Sequence, residues 1–298
     1  MRVAVTGATG TIGGAVADAL RARGDEVTEL SRSTNWSDPK AAPPPLDTLS
    51  GRDGVVHLLG EQIAQRWTDD AKREIRDSRI LATRNLVTAL GELPEAERPK
   101  VLISQSGAGW YGHRGDEPLD ESHPAGDDFL AQVTADWEAE ARRAEELGVR
   151  VVVNRTGVVL SPSGGALEKM MPFFKLGIGG PVAGGEQYVP WVHLDDVVGA
   201  ILFELDTEAT SGPVNVTAPE PATNRDLSKA LGRVLHRPAI APVPALAVRA
   251  LYGEMSDIVT TGQRAVPARL TDLGYSFRRP RLEDALRDAT ASPESTPR

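Results

Sequence analysis

The stretch AVTGATGTIGGAVADAL, residues 4–20, decides the fold of this chain. It joins an apolar strand to a predicted helix, 11–23, through Gly7, Gly10 and Gly13. In such a turn one glycine closes the bend, one lets the backbone approach a pyrophosphate, and one lets the helix pack on the strand. The first turn of the helix then offers free N–H groups and a positive dipole end to the anion. The sequence therefore predicts a dinucleotide-binding turn in preference to a merely structural one.

Apolar strands and helices alternate through the first half of the chain. Strands are predicted at 2–6, 26–30, 54–59, 100–104 and 150–154, with long helices at 69–91 and 128–147. Apolar strands joined by helices indicate a parallel sheet that is covered on both faces. The predicted fold class is therefore α/β, a Rossmann-type doubly wound parallel sheet with a smaller C-terminal α+β substrate lobe.

The alternation loosens after about residue 160, where Gly-rich segments interrupt shorter helices. We predict a nucleotide-binding domain over 1–160, with its sheet completed by segments near 190–217. A mostly substrate-binding lobe is predicted over 161–288, and a disordered tail over 289–298. Ligands of such sheets bind beyond the carboxyl ends of the strands, so the informative residues should follow those ends.

Composition excludes several classes of function. The formal net charge of −9 argues against nucleic acid as a partner, since nucleic-acid binders need a basic face. The absence of cysteine excludes disulfides, thiolate nucleophiles and Cys-based zinc sites. The five histidines show no metal-ligand spacing, so no metal site is predicted. Neither a signal peptide nor a membrane helix is recognisable, and we expect a cytoplasmic protein without a membrane partner.

The end of the second predicted strand indicates which dinucleotide is bound. An enzyme that uses NAD usually carries an acidic residue there for the ribose 2′-hydroxyl. This chain has Arg32 in that region, flanked by Ser31 and Ser33, which could donate hydroxyl hydrogen bonds. A guanidinium matches a 2′-phosphate, so NADP(H) is predicted over NAD(H). The alternative is a solvated surface arginine.

Longer motifs now carry a family resemblance. TGATGTIG, HLLG after the third strand and SQSGAGWYG after the fourth resemble the extended short-chain dehydrogenases/reductases. More narrowly, the chain resembles the atypical SDR39U1/YfcH-like NAD-dependent epimerase/dehydratase family. That closer match rests on 65–87, GWYGHRGDEPLDE at 109–121, ADWEAE at 135–140, RTGVVLSPSGGAL at 155–167 and WVHLDDVV at 191–198.

The resemblance implies an oxidoreductase or epimerase that acts on a small molecule with a nicotinamide cofactor. It also implies which residues contact that cofactor, from the pyrophosphate along the ribose to the nicotinamide. These residues are Gly7, Gly10, Thr11, Ile12, Gly13, Arg32, Ser33, Leu58, Leu59, Gly60, Ser104, Arg155, Gly157 and Val158. Relatives in the wider superfamily often dimerise through the two long helices, so a monomer or a homodimer is expected.

One departure from the superfamily bears on catalysis. Its active members carry a Tyr-x-x-x-Lys pair on the helix after the fourth strand, where the lysine lowers the tyrosine pKa for proton exchange. Here the corresponding positions fall around Leu130 and Thr134. The superfamily's serine or threonine before the Tyr-Gly pair is also displaced, since Gly107 lies four residues before Tyr111, and Ser104 and Ser106 lie further back.

Other groups are therefore considered as acids or bases. The catalytic candidates are Tyr111, Ser106 and His193, and Glu138 beside Trp137 is a candidate buried carboxylate. Tyr111, His193 and Glu138 each have a structural alternative: a packing tyrosine, a histidine that orients the lobe or caps a helix, and a glutamate on the helix surface. Two hypotheses follow, an NADP(H)-dependent oxidoreductase or epimerase with a nonstandard proton relay, and a non-catalytic NADP(H)-binding sensor or scaffold.

Candidate substrate contacts are Arg66, Trp110 and Trp191, together with the segment 163–175. Arg66 follows the third strand and so lies near the expected cleft. The neighbouring basic residues Lys72, Arg76 and Arg79 share one helical face, and we interpret that face as solvated and paired with nearby acids.

Overall fold

A computed structural model describes residues 1–162 and 164–291. The strands are β1 (Arg2–Thr6), β2 (Glu26–Leu30), β3 (Gly54–His57), β4 (Val101–Gly107), β5 (Pro118–Leu119), β6 (Arg150–Thr156), β7 (Val158–Leu160), β8 (Tyr188–Val189), β9 (Trp191–His193), β10 (Gly212–Val216), β11 (Ala222–Thr223) and β12 (Arg264–Ala265). The helices are α1 (Thr11–Arg23), α2 (Asp69–Glu92), α3 (Phe129–Arg142), α4 (Gly165–Lys175), α5 (Leu194–Asp206), α6 (Asn224–Val234), α7 (Ala245–Tyr252), α8 (Ser256–Thr260), α9 (Ala268–Asp272) and α10 (Leu282–Thr290). None of the described helices is both long and apolar enough to cross a bilayer.

Six strands form the central sheet in the order β10-β6-β4-β3-β1-β2, and every pairing is parallel. Alternate residues point to opposite faces. One face packs on α1 and α5, with Val3, Ile103 and Val152 among the strand residues. The other packs on α2 and α3, with Leu102 and Val153. The predicted doubly wound α/β fold is therefore confirmed.

The second half of the chain forms smaller pairings around a separate apolar cluster. β7 pairs with β9, β8 with β11, and β12 with β5. The cluster includes Leu167, Phe174, Leu231 and Leu286. β10 is the sixth strand of the main sheet, whereas β9 pairs, among the described strands, with β7 alone. The division into domains at residue 160 stays a prediction.

Two sequence expectations need correction. The last helix continues through Ala289 and Thr290, so the tail does not begin at residue 289, and residues 292–298 lie outside the described part of the chain. Arg79 was expected on a solvated face of α2, but its side chain is buried. Its guanidinium donates to the carbonyls of Ile75 and Glu61 at 2.9 Å each and lies over the Trp137 ring. These acceptors replace the water that a buried cation loses.

Glu204 of α5 is a carboxyl group buried in the core of this fold. Its Oε2 accepts a hydrogen bond of 2.8 Å from Asn154 Nδ2, and burial raises its pKa to about 8. Glu204 Oε1 and Asn154 Oδ1 are both buried acceptors without a donor among the described residues. A protonated carboxyl resolves that pattern because its O–H can donate.

Glu204→Gln is therefore expected to flatten the pH dependence of stability. The unfolded carboxyl titrates near pH 4.3, and the folded one keeps its proton up to about pH 8. Between these values the folded state binds more protons, so the free energy of unfolding falls as pH rises. Between pH 5 and pH 8 wild type should lose about 3 kcal/mol more than the variant. Urea denaturation at both pH values measures this, with exposed Glu208→Gln as control, and equal losses in wild type and Glu204→Gln would refute it.

Candidate dinucleotide site

The carboxyl ends of three parallel strands meet at the glycine turn. Gly7 N donates to Leu30 O at 3.2 Å, which joins the turn to the end of β2. Leu58 N donates to Thr6 O at 3.3 Å, which joins the end of β3 to β1. The strand pairing therefore brings 7–13, 31–34 and 58–60 to one edge of the sheet, where the sequence predicts the dinucleotide.

The glycines of the turn are required by close backbone approaches. Gly7 has a φ of +69°, and a Cβ there would lie 2.8 Å from Leu58 O. A Cβ on Gly13 would overlap the Gly7 carbonyl. Gly10 N donates to Gly7 O at 2.9 Å, and Gly10 is the N-cap of α1 without a side-chain capping bond. The start of α1 thus has no capping side chain at the position where the motif predicts an anion.

A chain of buried hydrogen bonds holds Thr6, the residue before the glycine turn, in place. Thr83 Oγ1 donates to Arg79 O, so it accepts from Trp137 Nε1 at 2.8 Å and from His57 Nε2 at 2.9 Å. His57 Nδ1 then accepts from Thr6 Oγ1 at 2.7 Å. Burial lowers the pKa of His57 to about 3, so the ring is neutral and holds this one tautomer. Both α2 and α3 are thereby connected to the strand that leads into Gly7.

The residues after β2 remain accessible. Arg32 and Ser33 are exposed, and the Ser31 and Ser33 hydroxyl oxygens lie 3.0 Å apart. Ser31 N donates to Thr34 Oγ1 at 3.2 Å, which closes a short turn. The Arg32 guanidinium therefore stands at the sheet edge next to the glycine turn, with its charge free of carboxylate partners within the described chain.

Of the remaining predicted cofactor contacts, some lie at the edge of the sheet and one is buried inside it. Leu58, Leu59 and Gly60 line the edge, and Gly60 packs against the buried Arg79 guanidinium, where a Cβ would lie 3.0 Å from its Cζ. Gly164 covers the turn from the other side, where a Cβ would lie 2.9 Å from Thr11 Oγ1. Ser104, in contrast, is completely buried within β4.

A second edge position follows β6. Gly157 N donates to Val216 O at 3.1 Å and Val158 N donates to Pro190 O at 2.6 Å. A Cβ on Gly157 would overlap the Pro190 carbonyl. Gly157 therefore allows the chain to leave the main sheet and pair β7 with β9. This turn lies at the carboxyl edge, as a contact on the nicotinamide side requires.

Arg155 points away from that edge into a buried ion pair. Its Nε donates to Glu138 Oε1 at 2.9 Å and its Nη2 to Glu138 Oε2 at 3.0 Å, with both side chains about 2% exposed. Ser106 Oγ donates to the same Glu138 oxygen at 2.8 Å. Trp110 covers the guanidinium, 3.8 Å from ring centroid to Cζ. These contacts engage the Ser106 hydroxyl and the Arg155 guanidinium within the protein.

Tyr111 is engaged in the same buried network. Its hydroxyl lies 2.6 Å from Asn215 Oδ1 and 3.0 Å from Asp120 O, both acceptors, and it accepts from Arg155 Nη1 at 3.3 Å. Burial raises the Tyr111 pKa to about 12, against the opposing effect of Arg155. A phenol in this environment neither loses its proton near neutral pH nor reaches a ligand, so the geometry favours the packing alternative.

His193 caps α5. Its Nδ1 accepts from Asp195 N at 3.1 Å, so the neutral ring carries its proton on Nε2, which faces Asp288 Oδ2 at 3.2 Å. Burial lowers the His193 pKa against the pull of Asp195 and Asp288. The ligand atoms of His193, Asp195 and Asp288 lie within 4.8 Å of one another. The protonated Nε2 has no lone pair to offer, so these three residues in this arrangement do not suit a metal ion.

The helix positions of the usual relay carry no ionisable group. A Cβ on Gly109 would lie 3.2 Å from the Leu130 Cβ, and Thr134 Oγ1 donates to Leu130 O at 2.8 Å, back-bonding within α3. One further turn along the same helix is Glu138, the partner of Arg155. The tyrosine–lysine pair has thus been replaced by packing and helical hydrogen bonds.

The three predicted substrate contacts have different surroundings. Arg66 Nη1 donates to Ala250 O at 3.1 Å and Leu251 O at 3.3 Å, which joins the loop after β3 to the end of α7. Trp110 stacks on Arg155 and is partly exposed. Trp191 is 1% exposed within the lobe cluster, and this leaves no indole surface for a ligand. Of the segment 163–175, Ser163 lies outside the described residues.

Comparisons with known proteins find relatives that match this chain in sequence and in fold along nearly its whole length. A model of the NAD dependent epimerase/dehydratase family matches residues 3–217, and a domain of unknown function matches residues 243–289. An epimerase family protein of Mycobacterium tuberculosis is 40% identical, with 98% of both chains covered. The crystal structure of human epimerase family protein SDR39U1 with NADPH is 35% identical, with a TM-score of 0.89, 99% of this chain and 100% of that chain covered. The crystal structure of a nucleoside-diphosphate sugar epimerase from Corynebacterium glutamicum is 34% identical, with a TM-score of 0.78. The match covers 97% of this chain and 58% of that chain.

Proposed function

The chain belongs to the NAD dependent epimerase/dehydratase family and is a homologue of SDR39U1, and from this premise we propose that it binds NADP(H) and transfers hydride to or from a small molecule. The observation that carries this proposal is the glycine turn at the start of α1. Gly13 approaches the Gly7 carbonyl too closely for any side chain, and Gly10, the N-cap of α1, makes no side-chain capping bond. Such a turn suits a pyrophosphate.

The choice of NADP(H) rests on Arg32. Its exposed guanidinium follows β2, where an acidic residue would favour the ribose 2′-hydroxyl of NAD. The human homologue was crystallised with NADPH, which supports the same choice. In the bound state the cofactor supplies a hydride, and this chain's residues hold its pyrophosphate at 7–13 and its 2′-phosphate at Arg32.

Arg32→Ala is expected to weaken NADPH binding about 10-fold or more while leaving NADH binding unchanged. The reason is that a hydrogen bond to a charged group contributes about 1.5–3 kcal/mol, and only NADPH has the 2′-phosphate to accept it. Fluorescence titration with both cofactors measures the effect, with exposed Arg76→Ala on α2 as the matched control. Equal losses for NADPH and NADH, or no loss, would support the surface-arginine alternative.

The proton relay is the open part of the reaction. Leu130 and Thr134 cannot exchange protons near neutral pH, and the Tyr111, Ser106 and His193 side chains are buried in hydrogen-bonded networks. An oxidoreductase with this site takes its proton from water or from the substrate. The same observation favours a second candidate, a non-catalytic NADP(H)-binding sensor or scaffold.

Isotope transfer separates the two candidates. NADPH deuterated at the nicotinamide C4 is incubated with the protein and a panel of aldehydes, ketones and nucleotide sugars, and the products are analysed by mass spectrometry. Deuterium in one product class establishes the oxidoreductase. Saturable NADPH binding without deuterium in any product leaves the sensor, and a lack of NADPH binding excludes both.

A further inference from the structure

Arg264 lies beyond the carboxyl edge of the sheet, on the lobe side of the predicted nicotinamide position. It precedes Ala265, whose carbonyl accepts from Thr217 Oγ1 at 3.3 Å, directly after β10. Thr217 in turn packs against Gly157, where a Cβ would lie 3.2 Å from the Thr217 Cγ2. Arg264 is thereby one layer of residues from the turn that follows β6. Ligands of doubly wound sheets bind in this region.

The guanidinium lies over an aromatic ring. Its Cζ lies 5.1 Å from the centroid of the Tyr188 ring. Tyr188 begins β8, which is followed in the chain by Pro190, and the Pro190 carbonyl contacts Gly157. Arg264 Nη1 donates one long hydrogen bond, 3.4 Å, to Asp116 O. The backbone on the other side is fixed by the pairing of β12 with β5. The ring contact and the strand pairing thus hold the Arg264 guanidinium in place. No carboxylate of the described chain forms an ion pair with it.

One edge of this guanidinium has no acceptor. Arg264 Nε is buried, and it is the one buried cationic nitrogen of the described residues that lacks a hydrogen-bond partner. Nη2, the other nitrogen of that edge, also has no acceptor among the described groups. A buried N–H donor of a charged group without an acceptor is unfavourable, so the Arg264 Nε points to a ligand.

The chain itself shows what fits such an edge. Arg155 binds Glu138 through its own Nε and Nη2, with distances of 2.9 and 3.0 Å to the two carboxylate oxygens. A planar carboxylate matches two parallel N–H groups better than other anions do. On the basis of the proposed function, we propose that Arg264, stacked on Tyr188, binds a carboxylate of the substrate, so that the substrate is a small carboxylic acid.

The experiment first measures NADPH affinity for wild type, Arg264→Gln and Arg264→Lys by fluorescence. Each NADPH-saturated protein is then titrated by calorimetry with a panel of mono- and dicarboxylates, their neutral amides, and inorganic phosphate. We expect wild type to bind at least one carboxylate, at least 10-fold tighter than its amide and than phosphate. Arg264→Gln should lose that binding at least 10-fold with unchanged NADPH affinity, and Arg264→Lys should lie between, since an ammonium cannot bind bidentately.

A control variant and the NADPH titration distinguish a failure at Arg264 from a failure of the proposed function. Exposed Arg249→Gln, in the same lobe, should bind both NADPH and the carboxylate as wild type does. If no protein binds NADPH, the proposed function fails. If wild type binds NADPH but no carboxylate, or prefers phosphate, or if Arg264→Gln binds the carboxylate as tightly as wild type, the assignment to Arg264 is overturned while the proposed function stands.

Discussion

Replacing Gly13 with alanine is expected to weaken NADPH binding by about 100-fold or more, about 2.7 kcal/mol. A methyl group at this position would overlap the Gly7 carbonyl and press on the Ala8 Cα. The turn and the first turn of α1 must then separate, which moves the N–H groups away from the pyrophosphate. Calorimetric titration of the purified variant with NADPH measures the loss.

Gly14→Ala is the matched control for that substitution. Gly14 is the next residue of the same helix, and a Cβ there would lie 3.3 Å from Ala8 O, a contact that small shifts relieve. Its NADPH affinity should stay within about 3-fold of wild type, while circular dichroism confirms that both variants fold. Equal affinities for Gly13→Ala and Gly14→Ala would show that the close approach at Gly13 does not shape the site.

The second large effect concerns stability. Glu138→Ala is expected to lower the free energy of unfolding by about 3–5 kcal/mol, because it leaves the Arg155 guanidinium buried without its carboxylate. Ser106 Oγ loses its acceptor in the same variant. Chemical denaturation at neutral pH measures the change, and the slope of the transition tests whether unfolding remains two-state.

A surface pair of the same chemical type is the control for Glu138→Ala. Asp70 and Arg73 form an ion pair on the exposed side of α2. Asp70→Ala should change the free energy of unfolding by no more than about 0.5 kcal/mol, since solvent screens exposed pairs. A loss below about 1 kcal/mol for Glu138→Ala would mean that water or another group compensates Arg155, and the buried pair would then not be a central support of β6 and α3.

The fold could be predicted because local pattern and tertiary contacts agree in the first half of the chain. The glycine turn, the apolar strands and the long amphipathic helix at Asp69–Glu92 each depend on near neighbours in sequence. The lobe was less predictable, since its strands have two or three residues and pair across long separations, as β5 with β12 does. Such short strands carry too few alternating positions to be recognised.

The site could be predicted only in part for a similar reason. The glycines and Arg32 follow strand ends, where sequence position fixes the edge of the sheet. Arg155 was expected near the nicotinamide, but it is in phase with Val151 and Val153 and so points toward α3, where Glu138 receives it. Period-two alternation along β6 could have shown this. Arg264 had no local signal, because its stacking on Tyr188 and its unpaired edge arise only from tertiary contacts.

We propose that this chain has a dinucleotide site that prefers NADP(H). Calorimetric titration of the purified wild-type protein with NADPH and with NADH, at the same pH and ionic strength, tests it most directly. We expect one saturable site per chain and binding of NADPH at least about 10-fold tighter than that of NADH, from the Arg32 contact with the 2′-phosphate. Tighter binding of NADH, or no binding of either dinucleotide, would contradict it.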